Sequence, residues 1–229
     1  MKLFNYFRSG TSFRVRIALN LKGLDYDYLA VHLARGEHQS DSYRALSPDG
    51  LVPLLELDAP DQGPAVRLSQ SLAIIEYLDE CHPQPPLLPA DALGRAQVRA
   101  LALSIACEVH PINNLRVLKY LDSALGLSEA QRADWYNHWV SQGLLAYERR
   151  LRLLDAERRA HGLGKARFSY GDSPSLADCC LVPQMVNASR FGLSFEALDI
   201  PLTRAVFEAC MQIDAFERAL PQNCPDAGA

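Results

Sequence analysis

The apolar positions of the first eighty residues alternate between two periods. Lys2 to Tyr6 is a short apolar run that reads as a strand. Phe13, Ile17 and Leu21 recur at four-residue spacing up to Gly23, which predicts a helix with a glycine terminator. Tyr26 to Leu33 alternates and is rich in aromatic and aliphatic residues, a second strand. Arg35 to Leu46 is polar and reads as a loop with a short helix. Val52 to Leu57 and Ala65 to Leu68 are two short strands, joined by a turn at Asp61-Gln62-Gly63-Pro64. Helical spacing returns from Gln70 to Cys81 through Leu72, Ile75 and Leu78. The predicted order is β-α-β followed by β-β-α.

His82-Pro-Gln-Pro-Pro-Leu-Leu-Pro89 interrupts this pattern, because proline cannot continue a helix and stiffens a connection. The expected division is a first domain at 1–83, a proline-rich linker at 84–92 and an all-helical domain at 93–229. Leu93 to Leu125 reads as one long helix kinked at Pro111. Ser128 and Gln131 form a capping-box pattern. Tyr136, Val140, Gly143, Tyr147, Leu151 and Leu154 then mark one face of a second long helix. Ser175-Leu-Ala-Asp178 opens an apolar helix through Phe191, and two shorter helices fill Leu202 to Leu220.

Composition narrows the function classes. With 229 residues, 48% hydrophobic and 22% charged, the chain is ordinary for a globular protein. A net charge of −4 offers no basic field for nucleic acid. No window approaches the roughly 18 uninterrupted apolar residues of a membrane span, and Met1 to Phe7 lacks a signal-peptide pattern. Cys81, Cys107, Cys179, Cys180, Cys210 and Cys224 form no CxxC pair and lack zinc-ligand spacing. Reduced thiols in a cytoplasmic protein are expected.

Three segments carry candidate chemistry. Arg8-Ser-Gly-Thr-Ser12 joins the first strand to the first helix, where backbone N–H groups, the helix dipole and the hydroxyls of Ser9, Thr11 and Ser12 suit an anion. Plain capping by Thr11 or Ser12 is the alternative. Leu51-Val-Pro-Leu54 heads a strand, where a cis bond at Val52-Pro53 would present the Val52 backbone to a ligand; an ordinary trans proline is the base expectation. Ser69-Gln-Ser71 places an amide, a hydroxyl and helix N–H groups together and could hold an amino-acid-like carboxylate, or simply cap the helix.

Together with the helical second half, these segments describe an α/β thioredoxin-like N-terminal domain plus an all-α C-terminal helical bundle. The chain resembles the cytosolic glutathione transferases, and among them the zeta class, which includes maleylacetoacetate and maleylpyruvate isomerases. The resemblance rests on Phe7-Arg-Ser-Gly-Thr-Ser-Phe-Arg-Val-Arg-Ile-Ala-Leu19, Leu51-Val-Pro53, Gln70-Ser-Leu-Ala-Ile-Ile-Glu-Tyr-Leu78, His110-Pro-Ile-Asn-Asn114 and Leu176-Ala-Asp-Cys-Cys-Leu-Val-Pro-Gln184. It runs from about Met1 to Pro221. Where the class carries Ser-Ser-Cys at the helix start, this chain has Ser9, Gly10 and Thr11. That form is more similar to the bacterial maleylpyruvate isomerases.

The resemblance implies glutathione as cofactor, with its sulfur near Ser9 and Thr11 as the catalytic hydroxyls. It implies a binding set of Gly10, Ser12, His38, Val52, Pro53, Gln70, Ser71, His110 and Asn114. Lowering a thiol pKa from about 8.5 by roughly 2 units requires about 2.7 kcal/mol of differential stabilisation. One charge-assisted hydrogen bond of about 1.5–3 kcal/mol plus a dipole contribution of about 0.3–2 kcal/mol can supply it. The implied reaction is cis–trans isomerisation of a maleyl diacid in aromatic-compound breakdown, by reversible thiolate addition. Arg8, Arg190 and Arg116 are the implied partners of the diacid's carboxylates; read singly, each is a solvated surface charge. His110 reads equally as a kink residue before Pro111. Asp178 reads as a capping residue, and Trp135 and Trp139 as packing. A homodimer is also implied. A glutathione transferase that conjugates or dehalogenates small electrophiles is the competing function, and a non-catalytic binding module a second.

Overall fold

The computed structural model describes residues 1–58 and 63–228. The chain forms two compact units, Met1–Leu87 with Gln212–Ala229, and Leu88–Met211.

The first unit opens with β1 (Lys2–Asn5), α1 (Gly10–Leu21), β2 (Asp27–Ala30), α2 (Asp41–Arg44), β3 (Leu54–Leu57), β4 (Val66–Ser69) and α3 (Ser71–Cys81). The strands lie in the order β2-β1-β3-β4. β1 runs parallel to β2 and antiparallel to β3, and β3 is antiparallel to β4. This is the expected β-α-β, β-β-α order. The second strand is shorter than its alternating pattern, because Leu33 already begins a 3₁₀ turn (Leu33–Arg35). Asp61 and Gln62 of the expected turn lie outside the described residues. Glu56 on β3 binds Lys2 on β1 at 3.0 Å and Arg67 on β4 at 2.8 Å, a charge ladder across three strands. Helix α1 is buried almost all round, from Phe13 to Leu19, including Arg14 and Arg16. Lys22 at its end donates to Asp79 and to the carbonyls of His82 and Pro85, which ties down the proline-rich connection.

The second unit consists of α4 (Ala92–Leu103), α5 (Leu115–Ser123), α6 (Glu129–Ala160), α7 (Leu176–Arg190) and α8 (Pro201–Met211). The single kinked helix expected over 93–125 is instead two helices. Proline lacks an N–H, so Pro111 cannot donate back to the preceding turn. The chain therefore widens into a π turn over Ser104–Val109, closed by His110 N–H to the Ile105 carbonyl at 2.9 Å. It then tightens to a 3₁₀ turn at Pro111–Asn113 and restarts with Asn114 as the cap of α5. Both capping boxes form: Ser128 with Gln131 at α6, and Ser175 with Asp178 at α7. Asp178 is fully buried and accepts from the N–H groups of Ser169 and Ser175 and from the Ser175 hydroxyl, the structural role expected of it. Burial pushes its carboxyl above the ordinary range, and these hydrogen bonds oppose the rise. Buried Glu148 of α6 accepts from Thr203 N–H and Oγ1 and from Leu202 N–H, capping α8. The Trp135 indole donates to the Ile112 carbonyl at 3.0 Å and meets Trp139 edge to face.

The segment after residue 211 corrects the expectation that everything past 93 forms one helical domain. It contains α9 (Asp214–Arg218) and packs with the first unit. The cause is polar as much as apolar. Buried Arg16 donates twice to the Ala219 carbonyl, and Asn20 donates to the Ala215 carbonyl. Cys224 and Ala227 join the cluster of Tyr6, Phe7, Val31, Tyr43 and Val52.

Candidate glutathione site

The turn between β1 and α1 is built around Ser9. Ser9, rather than Thr11 or Ser12, caps α1, its Oγ accepting from Ser12 N–H at 3.2 Å. Ser12 is fully buried, so its hydroxyl is removed from any surface ligand and its backbone N–H is what it contributes. Thr11 Oγ1 donates to the Val52 carbonyl at 2.9 Å and lies 2.9 Å from Ser9 Oγ. A hydroxyl has one proton. With Thr11 donating to Val52, Ser9 is the donor of the pair. The Ser9 proton is therefore the one that a ligand can redirect by rotation, while the Thr11 proton holds the loop.

Val52-Pro53 is cis, as the ligand-presenting alternative required. Val52 is buried against Tyr6, Phe7 and Tyr43, and the Tyr43 hydroxyl donates to the adjacent Leu51 carbonyl at 2.7 Å. The loop is thus fixed from both sides.

Gln70 and Ser71 occupy the start of α3. Gln70 has φ 69°, a left-handed conformation in a non-glycine residue. Such geometry costs about 1–3 kcal/mol and concentrates where ligands bind. Ser71 is buried and its Oγ accepts from Arg14 Nη1 at 3.2 Å, leaving its own proton to donate. The Arg14 guanidinium behind the N-terminus of α3 adds positive potential to the helix dipole, which favours a carboxylate there. Arg14 was not among the sequence candidates. The signal was present: two arginines in the otherwise apolar run Phe13-Arg-Val-Arg-Ile17 must each have buried partners.

Gly10 is the buried first residue of α1, Arg8 is exposed with its guanidinium 4.9 Å from the Phe7 ring centre, and His38 lies in the 3₁₀ turn Glu37–Gln39. All of these residues belong to the first unit.

His110, Asn114, Arg116 and Arg190 belong to the second unit. His110 closes the π turn. Asn114 Oδ1 accepts from Val117 N–H at 3.2 Å, so part of its side chain serves the α5 cap. Arg116 is exposed near the start of α5. Arg190 ends α7 with its guanidinium 5.4 Å from the Phe191 ring centre, and Phe191 stacks on Tyr136 at 4.1 Å. Burial pushes the Tyr136 hydroxyl up to about 12, against the lowering influence of Arg190.

A four-stranded mixed sheet with a cis-proline strand entry, a serine-capped first helix and a strained residue before α3 defines a thioredoxin-like domain of the glutathione-transferase type. The family model for the glutathione S-transferase N-terminal domain matches residues 3–86. A maleylpyruvate isomerase from a Ralstonia species is 51% identical over 227 residues, covering 99% of this chain and all of that protein. The holo structure of a maleylpyruvate isomerase, a bacterial zeta-class glutathione transferase, superposes with a TM-score of 0.88 at 50% identity over the full length of both chains. The maleylacetoacetate isomerase of Anaeromyxobacter dehalogenans, solved with bound glutathione, superposes with a TM-score of 0.84 at 41% identity, covering 99% of this chain and 97% of that one. The chain belongs to the zeta-class glutathione transferase family, that of the maleylpyruvate and maleylacetoacetate isomerases.

Proposed function

We propose that the protein is a glutathione-dependent isomerase that converts a maleyl diacid, maleylpyruvate or maleylacetoacetate, to its fumaryl product. The observation that carries this reading is the Ser9–Thr11–Val52 arrangement, which leaves one redirectable hydroxyl proton at the N-terminus of α1. Bound glutathione supplies a thiolate that adds reversibly to the cis double bond and allows it to rotate. The donor set fits that cofactor: a hydroxyl and helix dipole for the sulfur, the Val52 backbone for a peptide unit, and Gln70, Ser71 and Arg14 for an amino-acid carboxylate.

Ser9 would donate a hydrogen bond from its hydroxyl to the sulfur and so stabilise the anion. Thr11 keeps Val52 in register. Pro53 fixes the loop, and Gly10, His38, His110 and Asn114 complete the cofactor set. Arg8 and Arg190, with Arg116 as a third, hold the substrate carboxylates, because a planar guanidinium pairs bidentately with carboxylate. We further propose a cytoplasmic homodimer; sedimentation at micromolar concentration tests the dimer, and a stable 25.4 kDa monomer would argue against it.

The deciding experiment assays both diacids side by side, with and without glutathione. Isomerisation of either diacid that depends on glutathione supports the reading. Efficient conjugation of uncharged electrophiles, with no turnover of either diacid, would replace it with a detoxifying transferase.

A further inference from the structure

The backbone of Phe7, two residues before Ser9, is held on both sides by buried charged side chains. Arg16 Nη2 donates to the Phe7 carbonyl at 3.0 Å, and Arg16 Nη1 donates to the Tyr6 carbonyl and to Asn5 Oδ1. On the other side Asp226 Oδ2 accepts from Phe7 N–H at 3.2 Å. Asp226 is itself buried, and its second oxygen accepts a short hydrogen bond from the Tyr28 hydroxyl. Ser9 N–H in turn bonds the Tyr6 carbonyl at 2.9 Å. The turn that aims the Ser9 hydroxyl and launches the Arg8 side chain therefore has a carboxylate from the far end of the sequence as one of its walls.

We propose that Asp226 is a positioning residue for thiol activation: by accepting the Phe7 N–H it fixes the Tyr6–Ser9 turn and so the direction in which Ser9 donates. This rests on the reading that the glutathione sulfur lies at Ser9. It goes beyond that reading by assigning a catalytic consequence to the segment 212–228. Phe7 N–H sits in a cluster built of aromatic and aliphatic side chains, Tyr6, Val31, Tyr43 and Val52 among them, so its backbone donor depends on the Asp226 carboxylate. With Asp226 shortened, the N–H must seek water and the turn loosens.

Sign separates this role from a plain charge effect. A nearby carboxylate opposes formation of a thiolate, so deleting it should lower the bound thiol's pKa. Loss of positioning should raise it.

The test titrates the thiolate absorbance of glutathione bound to the full-length protein, with glutathione affinity measured by calorimetry. Asp226→Ala is expected to raise the bound thiol's pKa by about half to one unit, a roughly three- to tenfold fall in the thiolate-to-thiol ratio. Asp226→Asn keeps a carbonyl oxygen for Phe7 N–H and is expected to recover most of that shift. Tyr28→Phe releases the carboxylate without deleting it and is expected to give an intermediate shift. A folded Asp226→Ala protein with an unchanged or lowered thiol pKa would overturn the proposal. Should that variant fail to fold, an unshifted titration in Tyr28→Phe does the same. The two levels are distinguishable. If the unmodified protein fails to lower the glutathione thiol's pKa, the functional reading fails. If it lowers it and Ser9→Ala reverses this while the Asp226 and Tyr28 variants do not, only the positioning role fails.

Discussion

The hydroxyl of Thr11 donates to the carbonyl of Val52 across 2.9 Å, joining the first turn of α1 to the cis-proline loop. The bond divides labour between two neighbouring hydroxyls. Ser9→Ala is expected to raise the bound thiol's pKa by about 1–2 units, the equivalent of one charge-assisted hydrogen bond. It should also cost about 0.5–2 kcal/mol of stability through the lost cap. Thr11→Ala should mainly weaken glutathione binding, with a thiol shift below about half a unit. Thiolate absorbance against pH decides, and a larger shift in Thr11→Ala than in Ser9→Ala would reverse the assignment.

Arg8 and Arg190 are expected to contribute to diacid turnover separately. A charge-assisted hydrogen bond is worth about 1.5–3 kcal/mol, so either Arg→Ala change should lower kcat/KM for the diacid by about 10- to 150-fold. Arg→Lys should recover part of the loss, since lysine lacks the bidentate fork. Conjugation of an uncharged electrophile should hardly change. Equal losses on neutral and dianionic substrates would remove the carboxylate role.

The Lys2–Glu56–Arg67 ladder predicts a pH signature in stability. Hydrogen bonds from Lys2, and then from Arg67, hold the Glu56 carboxyl below its ordinary 4.5. A depressed carboxyl contributes stability above its ordinary pKa, and that contribution disappears as pH falls through the depressed value. Glu56→Gln should therefore lower stability by about 0.5–1 kcal/mol at pH 7, since Lys2 and Arg67 are partly solvated. Denaturant melts of the two proteins should converge on acidification below pH 4.5; a gap that persists or widens in acid would contradict the ladder.

Gly143 lies where α6 meets the π turn. A Cβ there would sit 2.1 Å from Val109 Cγ2, and a β-branched neighbour cannot swing away cheaply. Gly143→Ala is expected to destabilise the second unit by about 1–3 kcal/mol by overpacking. Thermal unfolding measures it, and an unchanged midpoint would mean that the helices separate without strain.

Much of this arrangement was legible in the residues. Four-residue spacing located α1 and α3, the prolines marked the division, and Ser128-Gln131 and Ser175-Asp178 announced their helices. Three things were not. The π turn at 104–109 repeats the apolar spacing of a helix, and its widening depends on a backbone bond that spacing does not encode. Ser9 as the cap was hidden because Ser9, Thr11 and Ser12 are chemically alike; which one accepts is settled by backbone angles. The return of 212–228 to the first unit depends on Arg16 and Asn20 meeting carbonyls about 200 residues away. Short segments with Pro221 and Pro225 carry too little periodicity to declare a partner.

That returning segment has a consequence for how the protein is made. Residues 1–87 of the first unit are made before the helical unit, yet Arg16 lacks its Ala219 acceptor, and Phe7 its Asp226 acceptor, until Leu88–Met211 has been translated. At roughly 5–20 residues per second that interval is about 6–25 s. Throughout it a guanidinium sits beneath a nascent sheet without the carbonyl that completes its burial, and the apolar cluster around Phe7 is open on one side. Nascent chains stalled before residue 212 should bind hydrophobic dyes and be cut by protease within residues 1–87, and chains released after residue 228 should resist both. The helical unit, contiguous in sequence, has no such wait, so the half that begins first is the half that finishes last.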